Sequence, residues 1–147
     1  MAYRKQMFEK YGLFRTDLGP SPNKEVPRPN EDGEFGNRLL AAGEQLRYEP
    51  SAVVFHPVPE ERLRKEYFLA WYFDWGRAVA REIGRGPDIL GLPRFYFNIP
   101  VGMGRTALGT VRWMIEPNSP KRFFLKGMVW YSSGRVVELF RLLRQAR

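Results

Sequence analysis

The chain has 147 residues, 44% of them hydrophobic, with one histidine, no cysteine and a formal net charge of +8. That length suits one domain with a modest core, and the apolar share argues against disorder. Without cysteine there are no disulfides or thiolate metal sites, and a lone histidine excludes a multi-histidine zinc site.

The charge is unevenly placed. Residues 1–56 carry eight cationic and eight acidic side chains, whereas residues 57–147 carry sixteen and eight. All four tryptophans (Trp71, Trp75, Trp113 and Trp130) lie in the second portion. A basic, tryptophan-rich portion suits an anionic lipid surface or nucleic acid. The start, Met1-Ala2-Tyr3-Arg4-Lys5-Gln6, is not followed by an apolar segment and does not read as a signal peptide. Helical periodicity begins there at once, which reads as a truncated start.

Tyr3, Met7, Phe8 and Tyr11 share one stripe, predicting a helix over 2–11 with Gly12 as its stop. A loop follows from about Asp17 to Asn30, where Pro20, Pro22, Pro27 and Pro29 leave no room for a regular element. Asn30 then fits the N-cap of a helix whose first turn holds Glu31, Asp32 and Glu34. Phe35, Leu39, Leu40 and Ala42 give its buried face, and Gly43 closes it. Two readings of the three acids are compatible. They cap a helix, or they form a carboxylate site that the helix start holds in place.

Two short strands are predicted next, Gln45–Tyr48 and Ala52–Phe55, joined by a turn at Glu49-Pro50-Ser51. His56 stands at the end of the second. A long helix is predicted from Pro59 to about Ile83, with Pro59 at its first position and an apolar middle, Tyr67 to Phe73. Gly84-Arg85-Gly86-Pro87 breaks it. Residues 95–115 are apolar but contain Arg105, Arg112, Pro100, Gly102, Gly104 and Gly109. Their longest uncharged run, Phe95 to Gly104, is about half of the ~20 residues that span a bilayer. A bent, interfacial or re-entrant segment is expected. The last helix is predicted from Ser119 as cap and Pro120 as first position. Its basic members are Lys121, Arg122, Lys126, Arg135, Arg141 and Arg144, and its apolar members include Phe123, Phe124, Trp130 and Phe140. That composition suits a helix lying in a membrane interface, or one packed on another domain with a solvated basic face. The predicted fold class is α/β, helix-rich, with four to five helices around a two-strand element.

Several motifs are absent. There is no Gly-x-x-x-x-Gly-Lys loop and no Gly-x-Gly-x-x-Gly after a strand. The four aspartates, Asp17, Asp32, Asp74 and Asp88, form no Asp-x-Asp pair. No nucleic-acid recognition motif is apparent, so nucleic acid is not an expected partner.

The order of Met1-Ala2-Tyr3-Arg4, Glu9-Lys10-Tyr11-Gly12-Leu13-Phe14, Asn30-Glu31-Asp32-Gly33-Glu34-Phe35, Arg38-Leu39, Ala42-Gly43, Tyr48-Glu49-Pro50 and His56-Pro57 resembles the second half of a family 2 glycosyltransferase domain of GT-A fold. The resemblance covers roughly residues 1–80. It implies that residues 1–84 are the C-terminal part of a catalytic domain. Residues 85–147 are then a basic, aromatic helical tail, similar to those of membrane-associated members. It also implies inverting transfer of a sugar from a nucleotide-sugar donor to an acceptor hydroxyl, with Asp32 as general base and Glu31 beside it. Glu34 and Arg38 become substrate-binding residues, and His56 a ligand to a divalent metal, Mg2+ or Mn2+. The nucleotide-binding strands and Asp-x-Asp motif of the family have no counterpart here. The main metal ligands are therefore expected in a missing N-terminal half, and a separate donor-binding half is a candidate partner. The implied location is the cytoplasmic face of a membrane, held peripherally. The alternative is a non-enzymatic membrane-peripheral helical module, for which the charge asymmetry and the tryptophans speak.

Overall fold

A computed structural model of the chain describes residues 2–20, 27, 29–84 and 95–145. The predicted breaker at 85–87, Asp88 and the loop positions 21–26 and 28 lie outside them. The described regular elements are helical: α1 (Lys5–Tyr11), α2 (Glu31–Ala41), a 3-10 turn (Glu60–Leu63), α3 (Lys65–Ile83), α4 (Phe95–Ile115) and α5 (Ser119–Gln145).

The α/β expectation is therefore corrected. No strand occurs among the described residues, and neither Gln45–Tyr48 nor Ala52–Phe55 belongs to a sheet. The residues have strand-like character, but a strand needs a neighbour to take its backbone groups. Here the turn closes locally. Ser51 donates from backbone and side chain to Glu49, at 3.3 and 2.7 Å, and the Ala52 N–H donates to the Glu49 carbonyl at 3.2 Å. Among the described residues none covers the segment beyond, and Phe55 is 93% exposed.

α5 is the central helix of the C-terminal part, with α3 and α4 both packed on it. Tyr72 sits against Gly127, Gly76 against Tyr131, and Arg77 bonds Glu138, so α3 and α5 run parallel. α4 runs antiparallel, with Gly102 beside Val136 and Gly109 beside Val129. The two contacts lie seven residues apart on each helix, about two turns, which keeps one seam in contact. The α3–α5 contact crosses the 84/85 boundary, so α3 is packed with the tail.

The starts of α3 and α5 differ from expectation. The long helix begins at Lys65 rather than Pro59. Pro59 instead precedes the 3-10 turn, and Arg64 is extended (φ −78°, ψ 143°). Residues 59–66 are exposed, so no packing holds that first turn in α geometry. The cap of α5 is Asn118, whose Oδ1 accepts the Lys121 N–H at 3.0 Å, and Ser119 is already helical. Residues 95–115 form one helix with Pro100 inside. Pro100 is the sixth residue, so only the bond to the Tyr96 carbonyl is lost. Among the described residues no helix is long and apolar enough to cross a membrane.

The N-terminal lobe is built on an aromatic cage. Phe35 of α2 is fully buried, stacked on Phe8 at 4.9 Å and edge-on to Tyr3 and Phe14 at 4.9 and 5.2 Å. Leu39 is buried too, but Leu40 and Ala42 are exposed, which narrows the predicted face. α2 ends in a Schellman motif: Glu44 N–H donates to Leu39 O and Gly43 N–H to Leu40 O, each at 3.0 Å, with Gly43 at φ 85°.

Candidate active site

The first turn of α2 carries the three acids, and the structure gives each a different environment. Glu31 is half-covered by the loop before it. Gly19, at φ 91°, passes so close that a Cβ there would meet the Glu31 carboxyl at 2.8 Å. Glu34 is largely buried and paired to Arg38 at 3.0 Å. Asp32 is exposed, and its Oδ1 accepts the Gly33 N–H at 2.8 Å. The helix dipole favours a carboxylate at this end.

Arg38 fastens α2 to the end of α1 and the residues just after it. Its guanidinium donates to the Tyr11 carbonyl at 2.5 Å and the Leu13 carbonyl at 3.0 Å, as well as to Glu34. The predicted substrate-binding pair, Glu34 and Arg38, is thus brought together, with its described contacts internal. Tyr3 closes the other side. Its hydroxyl donates to the Asp32 carbonyl at 3.2 Å, and its pKa is raised by burial first and by the Asp32 charge second.

Asn30 departs from the capping prediction. It takes a left-handed conformation (φ 90°), and its side chain makes no cap bond. Its Nδ2 instead donates to Glu82 Oε2 at 2.5 Å, and Asn37 Nδ2 donates to Glu82 Oε1 at 2.7 Å. One carboxylate at the end of α3 therefore clamps two points of α2, seven residues apart on one face. Glu82 was not singled out from the sequence; the Asn30/Asn37 spacing was the available signal. Glu82→Ala is expected to cost about 1 kcal/mol, as loss of part-exposed charge-assisted bonds does. It should also speed amide hydrogen exchange over Gly33–Phe35. Unchanged exchange there would remove the clamp.

A second tie runs beside it. Arg15 pairs with Asp17 at 2.6 Å and donates to the Arg81 carbonyl at 3.2 Å, while Arg81 donates to the Asp17 carbonyl at 2.8 Å. The hydrogen bond from Arg15 holds the Asp17 carboxyl below the usual aspartate range. A depressed folded-state pKa stabilises at pH above the unfolded value and loses that contribution as pH falls through the folded one. The acid limb of a urea titration below about pH 4 should therefore flatten in Asp17→Asn.

His56 stands apart on the exposed stretch, with Nδ1 3.1 Å from the Pro57 carbonyl. Among the described residues no three His, Asp or Glu side chains come together to hold a metal ion. His56 by itself does not make a site for a divalent ion. A cleft of about 750 Å3 lies between α1 and the C-terminal end of α2, lined by Tyr3, Met7, Leu39, Gly43 and Leu46 among others. Tyr3 connects it to Asp32 through its hydroxyl, so the cleft borders the acid turn.

No family model, curated protein or solved structure matches this chain.

Proposed function

We propose that this chain is the acceptor-side part of an inverting glycosyltransferase, with Asp32 as its general base. The observation that carries this is the sorting of the three acids: Glu31 is covered by Gly19, Glu34 is held by Arg38, and Asp32 faces outward on a fixed turn. In this reading the Asp32 carboxylate takes the proton of an acceptor hydroxyl. The hydroxyl oxygen attacks the anomeric carbon of a nucleotide-sugar from the side opposite the diphosphate. The bond to the diphosphate breaks, and the configuration inverts. A base must be a carboxylate or imidazole within hydrogen-bond reach of that proton, and inversion needs only one such group. Glu31 sets the local charge beside it, and Glu34 and Arg38 border the acceptor.

The donor and the principal metal ligands belong to a nucleotide-binding half, with His56 as one ligand among them. The exposed Tyr48, Val53, Val54 and Phe55 support this, because they present apolar surface for such a half to cover. The helical tail keeps the protein at the cytoplasmic face of a membrane.

The test joins this chain to an upstream nucleotide-binding half and assays sugar transfer over a panel of nucleotide-sugars. Transfer is expected with the native chain and not with Asp32→Asn. Undiminished transfer by Asp32→Asn removes the base assignment.

A further inference from the structure

A surface helix of a water-soluble domain turns its apolar stripe to the body and its polar face outward. α4 does not. Its inner side meets α5 through Gly102 and Gly109, and Trp113 packs edge-on to Trp130 at 6.2 Å. Ile99 packs on the Ala80–Leu139 core. Its outer side is apolar over its whole length. Leu108, Val111 and Ile115 are 53, 56 and 74% exposed, with Phe97, Val101 and Met114 also open. The only charges on α4, Arg105 and Arg112, are seven residues apart and so border one edge of that face. The helix's threonines make no demand on water, since Thr106 donates to Gly102 O at 3.0 Å and Thr110 to Thr106 O at 2.8 Å.

Charge selects the occupant. Residues 95–145 hold eight cationic side chains against two acidic ones, Glu116 and Glu138. Both acids are engaged, Glu116 with Lys121 at 2.7 Å and Glu138 with Arg77 and Arg81 at 2.9 and 2.6 Å. Two copies meeting through this face would bring like charges together. An anionic lipid surface meets both features, taking the apolar stripe among its acyl chains and the arginines at its phosphates. Near the α4–α5 turn, Lys126 lies over both Trp113 and Trp130, at 5.4 and 5.3 Å. Tryptophan and lysine are at home at the headgroup level.

We propose that the outward face of α4 is a lipid-insertion surface for anionic bilayers, with the α4–α5 hairpin lying along the membrane plane. It deepens the peripheral placement given above and does not depend on the base assignment. The full chain is tested by co-sedimentation with phosphatidylglycerol–phosphatidylcholine vesicles and with phosphatidylcholine vesicles alone. Binding is expected to the first and not the second, and to fall with salt. Leu108→Glu with Val111→Glu, both exposed, should abolish binding with the circular dichroism spectrum unchanged. Each of Arg105→Gln and Arg112→Gln should weaken it about fivefold at low salt. No binding to anionic vesicles overturns the proposal, as does binding that survives the double glutamate variant. A concentration-dependent dimer that this variant dissolves overturns it in favour of a second copy. Any of these outcomes leaves the Asp32 assay to stand or fall separately.

Discussion

Gly134→Ala is expected to cost about 3 kcal/mol and to lower the melting temperature by roughly 10 °C. The reason is that α3 and α5 touch through their backbones. A Cβ built on Gly134 collides with the Phe73 carbonyl, and one built on Gly76 collides with the Tyr131 carbonyl. Both carbonyls sit in helix interiors, and neither can swing aside as a side chain would. The methyl can be accommodated only by parting the helices, which also loosens Tyr72 from Gly127. Gly104→Ala is the control. Gly104 is helical too, but nothing lies within 4 Å of its Cβ position. There alanine should stabilise by about 0.5–1 kcal/mol, because it loses less backbone entropy on folding. Thermal and urea unfolding of the two variants decide the point. Losses of similar size at both positions would show that helix crowding at Gly134 is not the cause.

α3 and α5 were legible from their start signals and their long apolar-rich stretches. Their packing was not. Gly76, Gly134 and Gly104 look alike in sequence, and only the path of a second helix separates a close crossing from an open face. α5 shows the same limit. Its apolar residues suggested either a membrane-interface helix or one packed on another domain, and they are spread around it because α3 and α4 both pack on it. The long open apolar face described above is on α4. Ala52–Phe55 was misread for a related reason. β-branched residues state a preference for a sheet, and preference alone supplies no partner strand.

The acid turn was legible because three carboxylates before an amphipathic run are a local signal. What orders that turn is not local. Asn30 was expected to cap its own helix, and instead reaches 52 positions along the chain to Glu82. The same holds for the tie between Arg15, Asp17 and Arg81. The charges within the apolar stretches of α3 and α5 were the visible clue. Arg77, Arg81 and Glu138 had to find partners or be driven to the surface.

Glu138→Ala follows from that last pairing and is expected to cost about 3–5 kcal/mol. Glu138 is buried and accepts from Arg77 at 2.9 Å and Arg81 at 2.6 Å. Removing it takes the carboxylate from three guanidiniums, the part-exposed Arg141 at 3.8 Å, Arg81, and the buried Arg77, which keeps Asp74 at 3.1 Å as a counter-charge. The loss is a desolvation penalty, so it should shrink when the cation is removed as well. Arg77→Met with Glu138→Leu should therefore be less destabilised than Glu138→Ala alone. The effect should also travel. Arg81 is held by Glu138 on one side and by the Asp17 carbonyl on the other, so freeing it loosens the loop that covers Glu31. Amide exchange at Gly19 and along the first turn of α2 should rise in Glu138→Ala at urea concentrations where the native chain is still folded. If only α3 and α5 respond, the buried cluster stabilises the helical tail and has no hold on the turn that carries Asp32.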